Sequence, residues 1–148
     1  MENTSNPNEG ILEGLMKIGV YYEDTDLSGF VYHSNYLKYC ERAREHVIGV
    51  QFLRDLYHDG LHFVVSKASL TYRAPAGHGD ELIVKTRGTY SRSPAIPFDQ
   101  SIYKMVDGRE VLVVEAQITI VALNMDHRPI RIPDEVIRYF QQMSGNPS

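Results

Sequence analysis

The sequence predicts an α+β domain in which one long helix packs on one face of a largely antiparallel sheet. Three observations carry this: a segment of clear helical periodicity in the first third, a succession of β-rich runs after it, and turn residues at the breaks between those runs. An apolar helical face has to be buried, and the inner face of that sheet is the available partner.

The elements follow in order. Glu2–Gly10, rich in Asn, Ser and Glu, reads as a disordered lead. Residues 1–14 are therefore set apart from a single domain over 15–143, with 144–148 as a frayed tail. Leu15–Tyr22 alternates as a first strand, and a loop from Glu23 to about His33 carries Asp24, Asp26, Ser28 and Gly29, all turn-type residues. Tyr36, Cys40, Ala43 and Val47 then recur at helical spacing, with Leu37 and Ile48 beside them and Lys38, Glu41, Arg42 and Glu45 elsewhere round the helix. Ser34 or Asn35 is a natural N-cap, and Gly49 ends or kinks the helix. Phe52–Tyr57 makes a short second helix, stopped by Asp59-Gly60. Phe63–Tyr72, Leu82–Tyr90, Phe98–Val106 and Val111–Leu123 read as strands. Their separators are Ala74-Pro75-Ala76-Gly77, Ser93-Pro94 and Asp107-Gly108, the last a hairpin signal. A final helix starts with Pro133 at its first position and runs to about Met143.

The bulk numbers narrow the function classes. A chain of 148 residues fits one domain. A domain of that size buries roughly 70% of its unfolded surface and needs no disulfide or metal to fold. Its net charge of -4 argues against non-specific nucleic-acid binding. Cys40, the single cysteine, cannot form an internal disulfide, and no Cys/His spacing suggests zinc, so a reducing, cytoplasmic setting is expected. Met1–Gly14 lacks the apolar core of a signal peptide, and no apolar run approaches the roughly 18 residues of a membrane span.

Three acids in four residues make Tyr22–Gly29 the densest functional signal. Four readings compete. The loop is a solvated turn whose Asp side chains bond the local backbone. As a calcium loop of EF-hand type it fails, because Asn35 stands where the bidentate Glu belongs and a strand-like segment precedes it. A transition-metal site from Asp24, Asp26 and His33 lacks a second histidine at ligand spacing. The fourth reading is catalytic: a carboxylate just before a helix, whose first amides polarise a carbonyl oxygen while the carboxylate supplies a nucleophile or a base. Acyl transfer suits that geometry.

Val20-Tyr21-Tyr22-Glu23-Asp24-Thr25-Asp26, then Gly29-Phe30-Val31-Tyr32-His33-Ser34-Asn35-Tyr36, then Tyr39-Cys40-Glu41-Arg42-Ala43-Arg44 resembles the 4-hydroxybenzoyl-CoA thioesterase family. The likeness is greatest to its branch of short acyl-CoA thioesterases associated with the Tol-Pal system of Gram-negative bacteria. Leu70–Ala76 followed by Asp80-Glu81-Leu82 looks like that family's second signature, and the resemblance spans about Lys17 to Gln142. It implies a hotdog fold, an antiparallel sheet wrapped around one long helix. It also implies homodimers with active sites at the subunit interface, often paired into tetramers, acting on acyl- or aroyl-CoA with water as the only co-reactant and no cofactor or metal. The family's catalytic Asp falls on Asp26, not Asp24, with supporting roles on Tyr22 and His33. The amide near His33 takes the part of carbonyl polariser. Gly29, Val31, Tyr32, Asn35, Arg73 and Pro75, within the two signatures, are the implied substrate-binding positions. The alternatives are a hotdog hydratase or dehydratase and a non-catalytic acyl-CoA-binding protein.

Other residues read as structural. Cys40 faces the core as a small hydrophobe. Glu41 and Arg44 read as exposed partners at i, i+3. His46, His58, His62, His78 and His127 have no recurrent spacing, while Lys67, Arg73 and Arg92 are surface charges able to meet CoA phosphates. Pro94 and Pro97 interrupt Arg92–Phe98, where relatives begin a continuous strand, so an edge, bulge or loop is expected there.

Overall fold

The computed structural model describes residues 8–144, so the expected lead over 1–7 and tail over 145–148 fall outside the described residues. Its strands are β1 (Gly10–Gly19), β2 (His62–Tyr72), β3 (Glu81–Tyr90), β4 (Ala95–Val106) and β5 (Arg109–Leu123). They form one sheet in the order β1-β3-β4-β5-β2, and every neighbouring pair is antiparallel. Helices α1 (His33–Ile48) and α2 (Val50–His58) lie between β1 and β2, and α3 (Asp134–Ser144) closes the described chain. No helix among the described residues is long and apolar enough to cross a membrane.

The helical stripe meets the sheet as its periodicity requires. Tyr36, Tyr39, Cys40 and Ala43 pack with Leu82, Val84, Ile102, Val114 and Ala116 in one core cluster. Val47 and Ile48, one turn on, join a second cluster with Leu12, Tyr90, Phe98 and the α3 residues Val136 and Phe140. Each fully buried aliphatic or Phe side chain of this kind contributes about 1.5–3 kcal/mol, which anchors α1 along its whole length. At Asp107-Gly108 the β4–β5 hairpin turns through two residues of positive φ, 52° and 78°, the signature of a type I′ turn.

Several boundaries differ from those expected. β1 starts at Gly10 rather than Leu15, taking in residues assigned to the lead. Gly10 faces the Tyr90 ring and Gly14 faces Val47, each with no room for a side chain, so glycines that weaken the strand pattern are what let the strand fit. Neither Ser34 nor Asn35 caps α1; its N-cap is Tyr32, without a side-chain bond. The Asn35 amide instead donates to the Asp24 carbonyl at 3.0 Å. Leu37 is 42% exposed, outside the buried stripe, and Arg44, expected at the surface, is only 7% exposed. Its Nη1 donates to Gln100 Oε1 at 2.9 Å, so a polar partner from β4 replaces the expected pairing with Glu41. Pro97 lies inside β4 opposite Thr119 of β5, but β3 meets β4 only from Phe98 onward. This end of β4 is a local edge, which tolerates a residue lacking an N–H.

Candidate active site

The loop between β1 and α1 is folded by its own backbone. The Asp26 N–H donates to the Phe30 carbonyl at 2.9 Å and the Gly29 N–H to the Asp26 carbonyl at 3.0 Å, which places Asp26–Gly29 at the tip of a tight turn. Gly29 sits at φ +86°, a conformation that a side chain disfavours. Below the tip Thr25 bridges Val31, and Phe30 bridges Gly77. The Val31 N–H donates to the Ala76 carbonyl at 2.8 Å. The turn is thus tied to the segment that follows β2.

Asp24 and Asp26 are used differently. The Asp24 carboxylate accepts the Tyr21 N–H at 2.9 Å and so caps a short 3-10 turn over Tyr22–Asp24. Its carbonyl receives the Tyr32 N–H at 3.1 Å and the Asn35 side-chain amide, fastening the start of α1. The nearby Tyr39 hydroxyl is buried and makes no well-formed hydrogen bond among the described residues, and burial, then the neighbouring Asp24 carboxylate, pushes its ionisation well up. Asp26, by contrast, bonds only its own turn. Oδ1 accepts the Ser28 N–H at 2.8 Å and the Ser28 hydroxyl, while Oδ2 accepts no bond from the described residues. The Ser28 hydroxyl, followed by the Ser28 amide, holds the Asp26 carboxyl below its usual value.

Asp26 and Ser28 open on a cavity of about 390 Å³ whose other walls include Val31, His33, Tyr36, Tyr72, Arg73 and Pro75. His33 is the first residue of α1, and its ring stacks on Tyr72 at 4.0 Å between centroids and 13° between planes. The Tyr72 hydroxyl donates to the His33 carbonyl at 3.4 Å. The amides of His33 and Ser34 lie in the first turn, where no earlier carbonyl of the helix receives them. An ionised carboxylate, an imidazole and the positive end of a helix therefore share one opening of mixed polar and apolar lining. Such a set suits attack on a carbonyl whose oxygen takes up negative charge.

The model of the thioesterase-like superfamily matches residues 20–140. The chain belongs to that superfamily. The acyl-CoA thioester hydrolase YbgC of Escherichia coli O6:H1 is 33% identical over 128 residues, covering 84% of this chain and 93% of that protein. Among solved structures, the hypothetical protein TT1821 of Thermus thermophilus superimposes with a TM-score of 0.75 at 30% identity, over 87% of this chain and 98% of that one. A 1,4-dihydroxy-2-naphthoyl-CoA thioesterase, Slr0204 of Synechocystis, gives a TM-score of 0.76 at 23% identity, over 93% and 97% of the two chains, a likeness of fold. The thioesterase-like chain accordingly has the hotdog architecture that its signatures implied.

Within this thioesterase-like fold the expected site residues separate into groups. Asp26, His33, Val31, Arg73 and Pro75 line one cavity. Gly29 shapes the turn and Asn35 fastens it to α1. Tyr32 caps α1 and is 48% exposed. Tyr22 is 77% exposed, its ring edge-on to His78 at 5.8 Å, and does not line the Asp26 cavity. Arg73 is paired through Nε to Glu115 at 2.7 Å. Two contributors escaped the sequence reading. Ser28 was legible as the i+2 partner of an Asx turn; Tyr72, at 39 residues from His33, left no local signal.

Proposed function

We propose that this chain hydrolyses acyl-CoA thioesters to free acid and CoA, with Asp26 as nucleophile or as general base for water. The observation that supports the reading most is the Asp26 carboxylate, held below its usual pKa by Ser28 and opening on the same cavity as His33, the first residue of α1. The first amides of α1 receive the thioester oxygen, negative charge grows there as Asp26 or the water it deprotonates attacks, and the C–S bond breaks as the thiolate leaves and takes up a proton; a mixed anhydride formed by direct attack is then cleaved by water to the free acid. His33 orients the acyl group or carries protons, and the aromatic stack with Tyr72 fixes its ring. The acyl-CoA activity in the name of the YbgC relative points the same way.

The subunits pair through β2. Val64–Ser69 of this edge strand are exposed on both faces, with Val64 at 38% and Val65 at 50%, a row that isolated proteins normally cover. Two-fold pairing of β2 with itself brings the Asp26 cavity, which includes Tyr72, to the interface. Tyr22 then acts on the acyl group or the CoA from the rim. The unpaired, buried Cys40 suits a cytoplasmic setting.

The test is a panel of acyl- and aroyl-CoA thioesters assayed for free thiol with the wild type and Asp26→Asn. Thiol release that falls roughly 10²-fold or more in the variant, with the fold intact, is expected. A change in enoyl absorbance without thiol would identify a hydratase, and tight binding without turnover an acyl-CoA-binding protein.

A further inference from the structure

A second cavity, of about 470 Å³, opens at the other end of β2 from Asp26. Ile48 of α1, Leu53 and Tyr57 of α2, and Val65 of β2 give it a largely apolar wall. That volume is ordinary for a small-molecule pocket. Two polar groups in the wall have bonding capacity to spare. Arg44 is 7% exposed, yet no carboxylate of the described residues lies within ion-pair distance. Its five N–H donors meet a single side-chain acceptor, Gln100 Oε1. Nδ1 of His62 is buried with no hydrogen-bond partner among the described residues. Glu41 and Glu45 also border the cavity, but both are exposed, so water screens their charge. Burial disfavours the Arg44 charge, the Glu41 and Glu45 carboxylates offset that only across water, and a ligand oxygen in direct contact would relieve it further.

Along one chain the two cavities are far apart. The first lies at the Tyr72–Pro75 end of β2 and the second at the His62–Val65 end, roughly 20–30 Å away at about 3.3 Å per residue. Antiparallel pairing of two copies through β2 reverses that relation: the Tyr72 end of one strand comes beside the His62 end of the other. On the thioesterase reading above, we propose that the second cavity receives the far end of an acyl group whose thioester sits at the Asp26 site of a second copy, and that Arg44 selects acyl groups carrying an acceptor oxygen at that end. An arginine can only donate, so the complementary group is an acceptor, a terminal carboxylate or an aromatic hydroxyl. Glu41 and Glu45 at the rim repel the first on entry and leave the second unaffected.

Matched pairs of thioesters test this: hexanoyl- against adipoyl-CoA, and benzoyl- against 4-hydroxybenzoyl-CoA. The readout is the kcat/KM ratio within each pair, which cancels any general loss of folded enzyme. The wild type is expected to favour the oxygenated member of at least one pair by about tenfold, and Arg44→Met to bring that ratio near one. Wild-type ratios near one for both pairs, or an unchanged ratio in Arg44→Met, would overturn the assignment. If Arg44→Met does not fold, Leu53→Trp, on α2 rather than on the pairing strand, fills the same cavity; it should cost the 4-hydroxybenzoyl thioester at least about tenfold relative to acetyl-CoA, and an unchanged ratio sinks the proposal. Mixing Asp26→Asn with Leu53→Trp chains should restore about a quarter of the wild-type rate on the larger thioester, because half the mixed dimers' sites then combine an intact Asp26 with an open cavity. No restoration would put both parts of the site in one chain. A wild type that releases no thiol from any thioester fails the thioesterase reading instead, and the binding ratios of the corresponding non-hydrolysable thioethers to wild type and Arg44→Met then decide the cavity alone.

Discussion

Replacing Gln100 with leucine tests the polar knot beneath α1. Gln100 is 1% exposed in the middle of β4. Its Oε1 accepts from Arg44 at 2.9 Å, and its Nε2 donates to the Cys40 carbonyl at 2.9 Å and to the Thr86 hydroxyl at 3.0 Å. Leucine nearly matches its volume, so packing changes little while all three bonds go. The bond from the charged guanidinium is worth about 1.5–3 kcal/mol and the two neutral ones about 1 kcal/mol each. The added apolar burial of leucine offsets about 1 kcal/mol. The net loss is then roughly 2.5–4 kcal/mol. In a domain of this size that lowers Tm by about 5–15 °C. Urea and thermal unfolding at fixed protein concentration measure it, since subunit pairing would otherwise move the midpoint. Much of the loss comes from leaving Arg44 charged and unpaired. The double variant Arg44→Met/Gln100→Leu should therefore be more stable than Gln100→Leu alone. A Gln100→Leu protein within about 1 kcal/mol of the wild type, or a double variant less stable than the single, would refute this reasoning.

Three further outcomes follow from the same geometry. Ser28→Ala removes the hydroxyl that does most to hold the Asp26 carboxyl below its usual value. Activity that needs the carboxylate fades as pH falls through its pKa, so the acid limb of the kcat/KM profile should move to higher pH; a limb that stays put would detach Ser28 from the chemistry. Asp24→Ala should cost about 1 kcal/mol of stability by uncapping the 3-10 turn, whereas Asp26→Ala should cost little stability and far more activity; the two variants compared by chemical denaturation and thiol release check that division. Cys40 is fully buried, and burial pushes its thiol up to about 11. Native protein at neutral pH should resist iodoacetamide and keep its activity, with alkylation by mass spectrometry appearing only on unfolding.

What could be read without coordinates was local or periodic. The Tyr36–Val47 stripe, the Asp107-Gly108 hairpin and the Asp26 turn each rest on residues within a few positions of one another. What escaped depends on distant partners. Arg44 looked like a surface charge because its spacing to Glu41 suited an exposed pair; the residue that draws it inward is Gln100, 56 positions away. His33 finds Tyr72 across 39 positions, and the first half of β1 is specified by the bulk of Tyr90 and Val47 rather than by its own glycine-broken pattern. Ser34 and Asn35 had the right chemistry for a cap, but the Asp24 carbonyl competes for the Asn35 side chain, and α1 starts one residue before Ser34.

Asp24 and Asp26 show how far position outweighs composition. Both are aspartates in one loop, two residues apart, each bonded to a neighbouring amide. Asp24 faces back along the chain: its carboxylate closes the 3-10 turn and its carbonyl fastens α1, so its removal disturbs the frame. Asp26 stands where the chain reverses, and its carbonyl and amide close the tip while its carboxylate projects into the cavity with one oxygen unengaged. The Ser28 bonds keep that group ionised and fix its rotamer, at the cost of some basicity. The two roles depend on each other. The clamp from the Asp24 carbonyl to Tyr32 and Asn35 sets where the first amides of α1 lie, the amides that on the proposed reading polarise the carbonyl opposite Asp26. On that reading a shift of the helix start by one residue would separate the carboxylate from its electrophile without touching either group, so the frame matters as much as the Asp26 carboxylate it shares a loop with.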